Sequence, residues 1–315
     1  MISQADLDRF YEGLLTDVRV RGGTCAIAGG MACVQYGVAQ STKDCDVLCS
    51  VEALSTLLDV IAESNFLGAR GSYRGHLTAP LDRRWLAGGW TSHFEWQAAD
   101  AKPHLDVFGV APRASTNWSQ GISGLLAGMH TVAEMKRTDR GKDWPFASAL
   151  GTRLIADGDL NGWLHIFEVE TLEALFETVP LPDEMVAKRP ALQLLCDRDP
   201  RLRAAVFGEM TFWQELDRQC IRLHEAAVRK YMLAVKRDPD ADVPDLRTQH
   251  AVRLRHAEAL LPRCPILDYG IERLIEDAKQ SASQLLAPGI LEWLPNITEH
   301  FDGLRCERAN LTKEA

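Results

Sequence analysis

The sequence predicts an α/β (α+β) fold: a mixed-sheet domain over residues 1–150 followed by an α-helical domain over 151–315. Three observations carry this. Short β-prone runs alternate with helical periodicity in the first part, the first of those runs ends in a Gly-Gly pair, and from about residue 151 the periodicity is almost wholly helical.

Residues 4–17 set Leu7, Phe10, Tyr11, Leu14 and Leu15 at helical spacing, and Gly22-Gly23 ends that pattern. The run Cys25-Ala26-Ile27-Ala28 reads as a strand leading to Gly29-Gly30, after which Met31 to Tyr36 is a short helix closed by Gly37. Residues 45–49 form a second strand, and Val51, Leu54, Leu57, Leu58 and Ile61 a second amphipathic helix. Between 66 and 110 the β-prone segments Phe66-Leu67, Tyr73 to Leu77, Thr91 to Gln97 and Leu105 to Val110 are separated by Gly, Pro and Asp, and read as antiparallel strands of one sheet. A helix is expected over Ile122 to Lys136, with a basic continuation to Asp143. The second half reads as helices over Trp163 to Phe176, Arg201 to Leu216, Cys220 to Val235, Thr248 to Leu261 and Ile271 to Leu286, with a loop over Lys236 to Asp245 and a frayed tail after about 303.

The 315 residues are 46% apolar and 25% charged, an ordinary globular composition that excludes disordered and fibrous classes. The formal charge of −9 disfavours sequence-independent binding to nucleic acid or anionic membrane. Residues 1–150 hold 14 basic and 16 acidic residues, whereas 151–315 hold 21 and 28, so the first half is the better home for a phosphate. The N-terminus, MISQADLDRFYEG, is acidic and no long apolar run exists, so neither export nor membrane insertion is expected. Eight dispersed cysteines suit reduced thiols, which places the chain in the cytoplasm. Cys25, Cys33, Cys45 and Cys49 lack any C-x₂-C spacing and read as small buried hydrophobes rather than a zinc set.

The stretch that carries chemistry is residues 25–49. Asp44 and Asp46, two apart on a strand, project from one face at roughly 7 Å between Cα atoms. Two acids there repel, and a hard divalent cation such as Mg²⁺ relieves that repulsion. Cys45, Val47 and Cys49 alternate onto the opposite, buried face. A pair of metals about 3.5–4 Å apart needs a further carboxylate, and Asp106, the single acid of the strand His104-Leu105-Asp106-Val107-Phe108, fits. A Gly29-Gly30 turn between strand and helix lets backbone amides approach an anion such as a nucleotide phosphate. Lys136, Arg140 and Lys142 cluster within seven residues, with Lys136 and Arg140 expected on one helix face to neutralise a triphosphate or leaving pyrophosphate. Trp85, Trp90 and Trp96 suit the core or stacking on a base, the core being favoured.

GGMACVQYG followed by TKDCD, a later LDVF strand and then EMKRTDRGKD resembles the nucleotidyltransferases of the DNA polymerase beta superfamily, especially the small bacterial group with abortive-infection toxin-like members. The resemblance covers about residues 20–150. It implies that Gly29 and Gly30 form the nucleotide turn, that Asp44 and Asp46 bind two Mg²⁺ ions together with Asp106, also the base toward the attacking hydroxyl, and that Lys136 neutralises phosphate. Thr42 belongs to the matching pattern, and Lys142-Asp143 matches the basic-acidic pair of the smaller relatives. The relatives carry Arg two positions before the Thr, where this chain has Gln40; Lys43 is the available substitute. The expected activity is transfer of a nucleoside monophosphate from an NTP to a hydroxyl acceptor, whether small molecule, tRNA or protein, with release of pyrophosphate. The alternatives are a catalytically degenerate nucleotide-binding or interaction protein on the same fold, and a toxin with an antitoxin-like partner. For a tRNA acceptor, Arg198, Arg201 and Arg203 or Arg253, Arg255 and Arg263 would form the local basic patch.

Overall fold

The computed structural model describes residues 3–99 and 101–305. It is a mixed α/β structure. The first helix, α1 (Gln4–Val20), starts at a capping box in which Ser3 and Asp6 satisfy each other's backbone amides. Strand β1 (Cys25–Ala28) runs into α2 (Gly29–Gln35), and β2 (Asp44–Cys49) leads to α3 (Leu54–Glu63). Then come β3 (Asn65–Phe66), β4 (Ala69–Tyr73), a helical turn α4 (Arg83–Leu86), β5 (Thr91–Trp96) and β6 (His104–Phe108).

The six strands form one sheet in the order β1-β2-β6-β5-β4-β3. All neighbours are antiparallel except β2 and β6, which run parallel in the middle. The β-rich segments therefore share a sheet as expected, except that the strand read over Tyr73 to Leu77 lies at Ala69–Tyr73 with bends following it, and β6 inserts beside β2 as a parallel rather than antiparallel neighbour. On one sheet face Cys45, Val47, Leu105, Val107, Phe94 and Trp96 are buried against α1 and α3. The cysteines of β1 and β2 are buried there as free thiols.

Two local expectations are corrected. Residues 122–128 are not helical. They lie along β1, where Ile27 N–H donates to Leu125 O and Ala127 N–H to Ile27 O, and Gly124 takes a positive φ of 58° at the turn between Ser123 and Leu126. The helix that follows, α5 (Met129–Met135), stops at Lys136 instead of continuing to Asp143. There Thr138 Oγ1 donates to Asp143 and accepts from Arg140 N–H, while Asp139 N–H donates to Asp217, so side chains take over the backbone's helical partners.

Helix α6 (Trp144–Ala156) runs across position 150. Beyond it lie α7 (Val169–Phe176), α8 (Asp183–Lys188), α9 (Ala191–Cys196), α10 (Leu202–Arg237), α11 (Leu246–Leu260), α12 (Pro265–Tyr269) and α13 (Ile271–Ser283). The two helices expected over 201–235 are one 36-residue rod, α10. The polar stretch Asp217-Arg218-Gln219, which looks like a break, holds no Gly or Pro, and Asp217 is buried against Arg113. A second core gathers around the first half of α10 and α13, and a third joins Trp85 and Trp90 to Val228, Tyr231 and Val235 on the second half of α10. The expected frayed tail falls mainly on residues 306–315, outside the described residues.

Candidate functional site

Strand alternation builds the site. Asp44 and Asp46 face opposite to the buried Cys45, and pairing across the sheet sets Asp46 beside Asp106, Asp106 beside His93, Asp44 beside His104, and His104 beside Glu95. The strands lie about 4.8 Å apart, so the carboxylates of Asp46 and Asp106 are immediate neighbours on one face. The same register pairs Ala28 with Asp46, which delivers the β1–α2 turn to that carboxylate.

At that turn Gly29 has a φ of 56°, and a Cβ there would fall 1.6 Å from Asp46 Oδ2. No other residue fits between strand and carboxylate. Gly30 N–H donates to Asp46, and a Cβ on Gly30 would stand 2.9 Å from Thr42 Oγ1. Thr42 secures the approach to β2: its N–H donates to Gln4 and its hydroxyl to Asp44 O.

The two facing acids differ in charge state. Burial, then the charge of Asp106, pushes Asp46 up to about 6, against the pull of Lys136 and the Gly30 amide. Burial also pushes Asp106 up, but a hydrogen bond from His93 and the charges of His93 and Arg74 outweigh it and hold Asp106 below the usual range. Arg74 Nη2 lies 2.9 Å from Asp106 Oδ1, and His93 Nδ1 lies 2.8 Å from the same atom.

These groups line a cleft of about 640 Å³ between the sheet and α10. Gly29, Asp46, His93 and Asp106 form its floor, Lys136 and Arg140 one rim, and Leu216, Cys220, Ile221 and Val228 of α10 the facing wall. The volume is that of a small-molecule or cofactor site. Lys136 is buried with Nζ 3.5 Å from Asp143 Oδ1, and Arg140 Nη2 is 2.7 Å from Asp143 Oδ2. Asp143 in turn is held low: the hydrogen bond from Thr138 and the charges of Lys136 and Arg140 exceed the upward push of burial. The two cations therefore meet through a shared carboxylate rather than as successive turns of a helix.

Comparisons with protein-family models, curated proteins and solved structures found no match to this chain.

Of the ten sequence-derived site residues, Gly29, Asp46, Asp106, Lys136 and Arg140 line the cleft together. Gly30 and Thr42 support its floor from beneath. Lys43 contributes its carbonyl to Tyr11 and has an exposed side chain, and Lys142 is exposed outside the cleft. Asp44 is exposed at the start of β2 with His104 Nδ1 3.0 Å away. Of the three tryptophans, Trp85 and Trp96 are fully buried, while Trp90 lines the cleft.

Sequence reasoning missed His93, Arg74 and His104. His93 and His104 stand one strand away from the acids they engage, and Arg74, just past β4, reaches Asp106 across β5, so only the order of strands puts them there. The alternation of His93 and Glu95 with buried Ser92 and Phe94 marks a half-exposed strand, a signal that was present but unused.

Asp46 and Asp106 are hard oxygen donors whose mutual repulsion a cation relieves, so this pair fits Mg²⁺. Among the described residues no group of three His, Cys, Asp or Glu side chains is arranged to hold a metal ion. The reason is visible in the partners: Asp44 turns to His104, and Asp106 already carries Arg74 and His93. The arginines suggested as basic patches are occupied likewise. Arg198, Arg201 and Arg203 pair with Glu177, Asp199 and Glu170; Arg255 and Arg263 pair with Asp238 and Glu258, and Arg253 is buried. No helix among the described residues is long and apolar enough to cross a membrane.

Proposed function

We propose that this chain is a Mg²⁺-dependent nucleotidyltransferase of the DNA polymerase beta superfamily type, moving a nucleoside monophosphate from an NTP to a hydroxyl acceptor and releasing pyrophosphate. The observation that carries the reading is the in-register pair Asp46–Asp106 beneath the Gly29-Gly30 turn. Asp46 and Asp106 would hold the cation, with Asp44 joining on rotation away from His104. Bound there, Mg²⁺ would supply charge neutralisation for the attacking and leaving oxygens. The chain's own residues supply the rest. Gly29 leaves the carboxylate room to stand against the turn, and the α2 start at Gly29 gives the triphosphate a close backbone approach. Lys136 and Arg140, both tethered by Asp143, face the leaving pyrophosphate from the rim. Leu216, Ile221 and Val228 of α10 give the opposite side an apolar wall.

A small acceptor that enters the cleft suits this site better than a polynucleotide, because five of the six arginines suggested as basic patches are already paired, the sixth is buried, and the chain is acidic. One observation favours a second reading, a nucleotide-binding protein without transfer: the arginine and histidine on Asp106 neutralise the carboxylate that catalysis needs. Following label from an α-phosphate-labelled NTP, with water and hydroxyl compounds as acceptors, decides between them. Transfer with pyrophosphate release, absent in the Asp44→Ala, Asp46→Ala double variant, is expected. Transfer unchanged in that variant would overturn the assignment, and Mg²⁺-dependent NTP binding without turnover would favour the second reading.

A further inference from the structure

The second half of α10 has two opposite faces. Val228, Tyr231 and Val235 are buried in the core that holds Trp85 and Trp90. On the other side Arg222, Ala226, Arg229, Leu233 and Lys236 follow one another at spacings of four and three residues, and Lys230 and Arg237 flank that line, so the seven share one helix face. All seven are exposed.

Five of the seven are cations, spread over about 22 Å of helix. Among the described residues none of these five side chains has a hydrogen bond or an ion pair. Arg198, Arg201 and Arg203, by contrast, each hold an acid. The face itself carries no acid, and Glu225, the acid of this stretch of α10, turns to the cleft and lines it. The helix dipole favours cations in the last turn, which accounts for Lys236 and Arg237 but not for Arg222, Arg229 and Lys230, about two or more turns earlier. Unpaired cations gathered on one face of an otherwise acidic chain are placed for a polyanion.

We propose that this face is a docking surface for the phosphate backbone of duplex DNA. It offers no aromatic ring and no amide side chain, so it has nothing to stack on an unpaired base or to read a base edge. It has one large apolar side chain, Leu233 at 45% exposure, too little for the apolar centre of a protein interface or for burial in a lipid surface. B-form DNA carries a phosphate on each strand about every 3.4 Å of its axis, so a stripe of about 22 Å faces about six phosphates of one strand and can engage all five cations. Its major groove, about 12 Å wide, admits a helix about 10–12 Å across, which brings Lys236 on one side of the line and Lys230 and Arg237 on the other to opposite strands; the narrow groove of A-form RNA does not admit it. The face turns away from the cleft, so DNA held there is a partner and not the acceptor, and the surface stands apart from the nucleotidyltransferase reading.

Fluorescence anisotropy of a labelled B-form DNA duplex of mixed sequence, titrated with the full chain at a series of salt concentrations, tests it. Saturable binding with Kd of about 1–100 μM near physiological salt is expected, with log K falling against log salt at a slope of about −3 to −4.5, as for most or all of five neutralised phosphates. Arg229→Gln, Lys230→Gln and Lys236→Gln combined should weaken binding at least about tenfold and flatten the slope by about 2–3. Lys102→Gln, Arg198→Gln and Arg203→Gln combined remove the same charge from other exposed positions and should change Kd by less than about threefold. All six positions are exposed, so thermal melts of both variants should match the wild type. An RNA duplex of the same sequence and a polyglutamate of equal charge should each bind at least about threefold more weakly than the DNA. Equal or tighter binding of the RNA or of the polyglutamate would assign the face to RNA or to an acidic protein segment and overturn the proposal. No saturable binding of the DNA, or equal weakening by the two combined variants, would overturn it as well.

Discussion

Two clusters of buried charge, one in the helical half and one in the cleft, are built on opposite principles. In the helical half Arg189 and Glu209 pair at 2.7 Å with both side chains 2% exposed, and Arg189 also stacks 4.4 Å over Phe167. In the cleft two carboxylates, Asp46 and Asp106, are set side by side by strand register. The first cluster sets opposite charges against each other. The second sets like charges side by side, and burial, then the charge of Asp106, pushes Asp46 up to about 6. The contrast is why Asp46, rather than Arg189 or Glu209, carries the proposed function.

The sharpest way to break that contrast is to open the closed pair. Glu209→Gln leaves Arg189 buried without its counter-charge and should lower stability by about 3–5 kcal/mol in chemical denaturation. A loss of under about 1 kcal/mol would show that the pair is not closed as described.

Next in size is Gly29→Ala. The new Cβ would collide with Asp46 Oδ2, and alanine resists the positive φ, so a loss of about 2–3 kcal/mol is expected together with loss of nucleotide binding. Normal stability would mean that turn and carboxylate are not in contact.

Asp46→Asn should do the reverse. Because the folded chain holds the Asp46 proton more tightly than the unfolded chain, ionisation of Asp46 lowers stability as pH rises from about 4 to about 6 and the deficit then stays constant. The variant should therefore be more stable than the wild type by about 1–2 kcal/mol near pH 7.5, with no gain below about pH 4. Melts of both proteins across that range check the sign. Asp106 has the opposite dependence: its depressed ionisation contributes stability above the ordinary carboxylate range that is lost on acidification.

The smallest effect belongs to a pair that belongs to neither cluster. Arg198 and Glu177 are more than 60% exposed on both sides, and Arg198→Ala should change stability by less than about 0.5 kcal/mol.

What the sequence disclosed follows the range of the forces involved. Period-2 alternation placed Asp44 and Asp46 on one face and Cys45, Val47 and Cys49 on the buried one, as found. The strand–glycine–helix order at 25–35 was legible for the same local reason. The end of α5 was not, because Thr138 and Asp139 leave the helix for partners at Asp143 and Asp217, the latter 78 residues away. The continuity of α10 was hidden by a polar patch at 217–219 whose burial depends on Arg113. Arg74 and His93 became readable only once β5 was known to lie beside β6, since strand order is a long-range property.

The most direct test of the frustrated pair is calorimetric titration of each nucleoside triphosphate with Mg²⁺ into the wild type and Asp46→Asn. Stoichiometric, metal-dependent binding by the wild type that disappears in the variant is the predicted result. Equal binding by both proteins, or none by the wild type, would contradict the assignment of the Asp46–Asp106 pair as the place where the chain receives its ligand.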